Sequence, residues 1–383
     1  MLRTISKALT GRASLTRSMS HLSQPDLPID QLKRSLRGLP KQANMVQALR
    51  DIRTSKLYSE VSNWSKKQYG DIPRSGDIRE DPRARNAAGG HALCYALNAV
   101  VHLSHEYDLK LVPRNAKAND DAEATEREFL SQIHPSHADK LLDEFLRSWK
   151  ANPENRQAAL LSVLLPGLAM KLGLNATHAH SEHAKAWGII PPSMLLTEGQ
   201  LLALVDYVNS ETGTFNAVNG AALADAYYGE PVLQQMMGTF TATLDLAIHK
   251  LCRHPYFGLH DVKTYKGICL YDESGLFRRA MLDAAVKTDK VIAFPNVLSA
   301  TANPSKSYAV TKAQLGYSLE LEITMRTGFD ADPFHDTKTM GEGEVIGPRG
   351  QKFIVTDKVE VEEYIESAGR SEFIDRYLLK PAR

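Results

Sequence analysis

The chain has 383 residues, 43% of them apolar and 24% charged, which are the proportions of an ordinary globular protein and exclude a mainly disordered chain, a collagen-like repeat or a coiled-coil rod. Its length suits two domains. Its 46 basic side chains nearly balance 45 acidic ones, which argues against a polyanionic partner such as nucleic acid. The best apolar stretch, residues 160–174, is broken by Pro166, Gly167 and Lys171 and falls short of the ~18–20 residues of a membrane span. Three widely spaced cysteines, Cys94, Cys252 and Cys269, fit reduced thiols in a cytosol and not a disulfide framework.

Residues 1–85 read as a basic, Ser/Arg-rich leader. The first 50 residues carry nine basic side chains against Asp26 and Asp30, and the first 25 hold no acid. Such a start fits a mitochondrial presequence, the export segment of a bacterial effector, or a plain disordered tail. No apolar h-region follows the charges, so a secretory signal peptide is not expected. Prolines 25, 28, 40, 73 and 82 predict a mobile segment with one helix around residues 43–69.

Residues 86–190 read as a helical domain. Apolar residues recur at three- and four-residue spacing over 92–103 and 141–149; 156–172 continues the trend, with Pro166 as a kink. The polar run 119–128 predicts an exposed turn or helix start. Cys94 follows the pair Gly89-Gly90, as a nucleophilic cysteine at a helix N-terminus would, although its apolar neighbours Ala96, Leu97 and Val100 favour simple burial. His178, His180 and His183 include an i, i+3 pair, but no four-ligand set surrounds them, so no metal is expected.

Residues 191–383 carry the chemistry. Helical patterns at 195–209, 215–228 and 233–251 precede short β-type runs at 264–271, 290–294, 315–325, 344–346, 353–355 and 359–365, separated by Gly, Pro, Asn and Asp. Helices followed by an irregular set of strands predict an α+β domain. No Gly-rich phosphate loop is present.

Four pieces of this region, over roughly residues 195–360, resemble the mono-ADP-ribosyltransferases of the arginine–serine–glutamate class, especially bacterial toxins and type III effectors. They are Leu204-Val205-Asp206-Tyr207 through Val218-Asn219-Gly220, Thr264-Tyr265-Lys266-Gly267-Ile268, Phe294-Pro295-Asn296-Val297-Leu298-Ser299-Ala300-Thr301, and Gly341-Glu342-Gly343-Glu344 with its trailing Pro348-Arg349-Gly350 turn. They follow the order of the family's opening helices, its Y-R-G strand, its Ser-Thr-Ser strand and its E-x-E strand. The resemblance implies a split two-sheet β core with N-terminal helices, preceded by a mostly helical domain.

It also implies roles. Glu344 would be the catalytic carboxylate, Glu342 would serve the acceptor, and Ser299 would brace the site. Lys266, Gly267, Ser299, Thr301 and Tyr308 would hold NAD as co-substrate, with Tyr308 stacking on nicotinamide, and Phe334 would recognise the acceptor. The family's arginine is Lys266 here, which keeps the charge and loses the bidentate fork; Arg278 or Arg279 could supply the guanidinium. Two glutamates two apart on a strand share a face. Breaking the nicotinamide–ribose bond builds positive charge on the ribose, as in glycoside hydrolysis, and a fixed carboxylate stabilises that charge. The implied partners are NAD, a host protein acceptor, arginine being the first choice of side chain, and a secretion chaperone on the N-terminal segment. The implied setting is a bacterial secreted effector acting in the host cytosol. An NAD glycohydrolase, an inactive host-binding scaffold and a cysteine peptidase centred on Cys94 are the alternatives.

Overall fold

A computed structural model describes residues 27–39, 44–70, 82–111, 121–151, 192–269, 273–288, 291–313, 317–335, 341–365 and 368–382. Among the described residues six helices come first: α1 (Pro28–Arg37), α2 (Met45–Thr54), α3 (Lys56–Gly70), α4 (Pro82–Leu103), α5 (Ala122–Gln132) and α6 (Pro135–Ala151). Four more follow, α7 (Glu198–Val208), α8 (Thr214–Tyr228), α9 (Pro231–Met236) and α10 (Gly238–Cys252). Then come β1 (Gly258–Cys269), α11 (Glu273–Thr288), β2 (Val291–Phe294), β3 (Leu298–Thr301) and the short α12 (Tyr308–Thr311). The last elements are β4 (Tyr317–Asp330), a 3₁₀ turn Asp332–Phe334, β5 (Glu344–Gly347), β6 (Gln351–Ile365) and β7 (Arg370–Pro381). The fold is α+β, as the pattern of helices and strands predicts.

The first helix shows why part of the expected leader is ordered. Pro28 sits at the start of α1, where its missing N–H is no loss. Asp30 lies in the first turn and Arg34 and Arg37 in the last, complementing the helix dipole. Ile29, Leu32 and Leu36 form one buried stripe. The single helix expected over 43–69 is two, parted at Ser55, whose backbone is extended and whose hydroxyl accepts the Tyr58 N–H at 3.2 Å. The helices Pro28–Arg37, Met45–Thr54 and Lys56–Gly70 are therefore built into the protein and do not form a mobile leader. The polar run at 119–128 starts α5, with the Asp121 side chain capping the Ala124 N–H. The expected helix 156–172 and the three histidines at 178, 180 and 183 lie outside the described residues.

Burial joins the two helical sets. Leu32, Leu49, Leu93, Leu97, Phe129, Leu141, Leu204, Val218, Phe240 and Leu251 belong to one continuous apolar core. The pair Gly89-Gly90 lies inside α4 and not ahead of it. A Cβ on Gly89 would stand 2.9 Å from Tyr228, and one on Gly90 would run into the Ser65 hydroxyl of α3. The glycines let helices approach; they do not open a helix for a nucleophile.

Seven strands follow the order β1-β3-β5-β4-β7-β6-β2, with β1 also paired to β4. The β1–β4 ribbon runs from Gly258 opposite Phe329 to Cys269 opposite Tyr317. On one side β7 pairs parallel with β4, and β6 and β2 follow antiparallel. On the other, β3 pairs with β5, and β5 pairs with the far end of β4. The two arms of the split core thus stay joined through β1 and β4. The helix expected at 233–251 breaks at Met237, just before Gly238. The runs at 353–355 and 359–365 are one strand with a bulge between Val355 and Asp357.

Truncating Leu32 or Leu36 to alanine is expected to cost about 2–5 kcal/mol, measured by urea unfolding. Removal of residues 28–70 should leave an insoluble or poorly packed chain. A truncated protein that unfolds at the wild-type midpoint would contradict this assignment.

Candidate active site

Glu344 opens β5 opposite Thr301 of β3. Its Oε1 accepts the Ser299 hydroxyl and its Oε2 contacts His335 Nε2. An ionised carboxylate only accepts hydrogen bonds, so Nε2 is the protonated nitrogen of that ring. Asp332 fixes the backbone from below. Its Oδ1 accepts the Glu344 N–H at 3.1 Å and its Oδ2 the Gly343 N–H at 3.2 Å. Gly343 takes the left-handed conformation, φ 65°, that the tight E-x-E entry needs. At the far end of β5, Arg349 of the Pro348-Arg349-Gly350 turn grips Asp245 of α10 with Nε at 3.0 and 3.1 Å.

The two glutamates are driven apart in acidity. Burial alone would raise the Glu344 carboxyl, but the His335 bond and charge, the Ser299 hydroxyl and Lys266 outweigh it and hold the group below the usual carboxylate range. Glu342 is raised by burial and by the neighbouring Glu344 charge, which His335 and Lys312 only partly offset. A pair split this way suits one fixed anion and one proton acceptor.

Lys266 of β1 donates to the Ser299 carbonyl at 2.7 Å, leaving two N–H donors for the cleft. Burial, and next the charge of Arg278, bring its ammonium down to about 8, against the opposing pull of Glu344. The neighbouring arginines of α11 divide. Arg279 is bound to Asp375 at 2.6 Å, whereas Arg278 lines the same cleft as Lys266. Gly267 lets the chain pass Tyr308, whose carbonyl carbon would stand 2.8 Å from an added Cβ. Tyr308 faces the cleft beneath Lys312 Nζ, 3.4 Å from its ring centroid, and its phenol is pushed up to about 12 by burial and by Glu342 and Glu344.

The cleft measures about 450 Å³, within the ~300–1,000 Å³ range of small-molecule sites. Its opposite wall is helical: Tyr207 of α7, Phe215, Asn216 and Asn219 of α8, and His91 and Tyr95 of α4. Asn219, in the expected Val218-Asn219-Gly220 piece, joins these parts. It donates to the Tyr207 hydroxyl at 3.1 Å and accepts the Val297 N–H at 3.2 Å.

The structure therefore brings together Glu344, Glu342, Ser299, Lys266, Gly267 and Tyr308. Two expected residues fall outside the cleft lining. Thr301 is buried and its hydroxyl donates to the Glu342 carbonyl at 2.7 Å, so it shapes the turn before β5. Phe334 is 1% exposed and packs between Phe257 and Phe329, at 5.5 and 6.1 Å; it is a core residue, not an acceptor-recognition aromatic. Cys94 is buried in mid-helix, and burial pushes its thiol up to about 12, opposite to what a peptidase nucleophile requires. Asp332 and His335 were not expected at the site, because neither leaves a pattern of its own beside the aromatic Phe334. The α4 wall, which lies about 250 residues before the glutamates, was not expected either.

No protein-family model matches the chain, and no curated protein matches it. Solved structures resemble it in part. HopU1, an ADP-ribosyltransferase of Pseudomonas syringae pv. Tomato DC3000, is 17% identical with a TM-score of 0.30, over 39% of this chain and 55% of that one. Exoenzyme S from Pseudomonas aeruginosa, solved with human 14-3-3 protein beta and carba-NAD, is 16% identical with a TM-score of 0.33, over 59% and 88%. The type III effector XopAI from Xanthomonas axonopodis pv. citri is 14% identical with a TM-score of 0.34, over 71% and 96%. The chain thus spans about half the length of the first of these, 55%. One of these is named an ADP-ribosyltransferase and another a type III effector; the chemistry assigned to the cleft follows from its own geometry.

Native protein treated with iodoacetamide at pH 7.5 should leave Cys94 and Cys252 unlabelled, since burial pushes both thiols up to about 12, and should label both after unfolding. Peptide mass mapping reads the result. Rapid native labelling of Cys94 would reopen the peptidase reading.

Proposed function

We propose that the protein is an NAD-dependent mono-ADP-ribosyltransferase that modifies a protein side chain, arginine being the first candidate. The observation that carries this reading is the Glu344 carboxylate, held anionic by Ser299 and His335 in the cleft that also presents Lys266, Arg278 and Glu342. The cleft's chemistry fits the substrate. Lys266 and Arg278 offer positive charge to a diphosphate, and Tyr308, Tyr207, Phe215 and Tyr95 offer aromatic faces to the two bases. Glu344 faces the positive charge that develops on the ribose as nicotinamide leaves. Because the carboxylate is already desolvated and fixed, little reorganisation is needed at that moment. Glu342, half-buried and raised in pKa, is suited to accept a proton from the incoming nucleophile. The basic, acid-free first 25 residues support a further reading of the chain as an exported bacterial effector with a host protein as acceptor.

Labelled NAD incubated with the protein and a host-cell lysate tests the reaction. A labelled protein band supports transfer, free ADP-ribose alone supports an NAD glycohydrolase, and unchanged NAD supports an inactive scaffold. Glu344→Gln should lower both transfer and hydrolysis by on the order of 10²–10³, while Glu342→Gln should abolish transfer and spare slow hydrolysis. Wild-type activity in Glu344→Gln would overturn the assignment.

The lysine makes a separate prediction about pH. Lys266 is charged below about 8 and neutral above it, so NAD affinity should weaken as pH rises through that value. Lys266→Arg stays charged throughout and should flatten the profile, as read by calorimetric titration of NAD between pH 6.5 and 9.5.

A further inference from the structure

Lys312 stands beside Glu342, and the chemistry assigned to Glu344 makes no use of it. Its position is fixed from the sheet. The Ser307 hydroxyl caps α12 by accepting the Ala309 N–H at 3.4 Å, and the Tyr308 carbonyl accepts the Lys312 N–H at 2.9 Å. Ala309 is buried and packs with Ile365 of β6 and Ile374 of β7. Tyr308 and Lys312, four apart, share one face of this turn. The Lys312 ammonium lies 3.4 Å from the centroid of the Tyr308 ring, close enough for a cation–π attraction. Tyr308 and Glu342 both line the cleft, so the ammonium sits at its margin. Lys312 and Glu342 are each half-buried and feel each other's charge. Lys312 draws the Glu342 carboxyl down against burial and the Glu344 charge, and Glu342 draws the Lys312 ammonium up against burial. His335 and Asp332 also act on Glu342, the first lowering it and the second raising it.

We propose that Lys312 is a specificity-determining residue for the acceptor: its ammonium competes with a cationic side chain for Glu342, and so selects an arginine carried by a docked protein over a small free guanidinium. The proposal rests on the reading of Glu342 as the acceptor-side carboxylate. A guanidinium entering beside Glu342 brings a second positive charge to an anion that already has one. Like charges a few ångströms apart in a partly desolvated cleft repel one another appreciably. The resident ammonium is not swept aside by a shift of the backbone, because α12 is anchored on β6 and β7. A small guanidinium has only its charge and its few N–H donors to set against this repulsion. An arginine on a protein brings the contacts of the surface around it and can overcome the same barrier. Water, the acceptor in hydrolysis, carries no charge and does not feel it. Specificity of this kind rests on a repulsive element as much as on an attractive one.

The test supplies NAD and methylguanidine to the full chain as wild type, Lys312→Gln, Lys312→Met and Lys312→Arg, and reads the ratio of ADP-ribosylated methylguanidine to free ADP-ribose. Both neutral variants should raise that ratio about three- to tenfold at low salt. The gain should shrink in about 1 M sodium chloride, where the screening length is only ~3 Å. Lys312→Arg keeps the charge and should stay within about twofold of wild type. If one neutral variant fails to fold, the other decides. An unmoved or lower ratio in a folded neutral variant overturns the proposal. A rise in KM for NAD that slows both products in step would also overturn it, by placing the ammonium on the cofactor. No transfer to methylguanidine by any variant, with NAD still cleaved, overturns it and leaves the assignment of Glu344 standing. No NAD cleavage by folded wild type would sink both.

Discussion

The hold of Ser299 and His335 on the two oxygens of Glu344 governs how the rest of the cleft is built. A buried carboxylate without partners would take up a proton or unfold its surroundings, because an isolated charge in a low-dielectric interior is costly. Here each oxygen has a donor, the Glu344 N–H has Asp332, and Lys266 adds a positive charge. Those partners come from β1, β3 and the 3₁₀ turn before β5. Their convergence is possible only because β1, β3, β5 and β4 close on one another at this end of the sheet. The sheet's irregular topology and the acid's charge state are therefore one constraint.

A second constraint is helical. Asp206 of α7 is buried, and accepts from the Tyr107 hydroxyl at 2.7 Å and from the Thr214 hydroxyl at 2.9 Å. His137 of α6 stands 3.4 Å from its other oxygen. One carboxylate thereby ties the chain at Tyr107, α7 and the start of α8, with α6 packed beside it. Since α7 and α8 carry Tyr207 and Asn219 to the cleft, this network sets the distance between the aromatic wall and the glutamates. It performs for the helices what Asp332 performs for the strand.

Much of this was legible in the residues, and the exceptions have physical causes. The E-x-E and Lys266 strands were legible as β-type runs over 344–346 and 264–271, whereas the Ser299 strand was legible only through the resemblance of Phe294 to Thr301. Strand β7 was not. Its residues Arg370–Pro381 mix charges into both faces, and burial falls on Ile374, Tyr377 and Leu379 without a clean alternation. Helix α11 carries Arg278 and Arg279 on adjacent positions, and only tertiary packing decides which of them turns to the cleft. Phe334 and His335 show the same limit. The expected site residue was the aromatic, and packing reverses the pair: the core claims Phe334 and the imidazole lines the cleft. The packing of α1, α2 and α3 into the core was hidden for a related reason. Three short helices have weak individual patterns and are stabilised mainly by what they pack against.

The position of β7 has a consequence for how the chain is made. It is the latest of the described strands in the sequence, yet it lies inside the sheet between β4 and β6. Its Arg376 reaches Glu320 on one neighbour and Glu363 on the other, each at 2.6 Å. Until that stretch has left the ribosome, β6 and β2 have no strand to join them to β4. The sheet cannot then be assembled in the order of synthesis, and its closure is a long-range event of the slow kind. A nascent chain would already hold β1, β3, β4 and β5, which carry the site, while the β6–β2 arm of the sheet waits for β7.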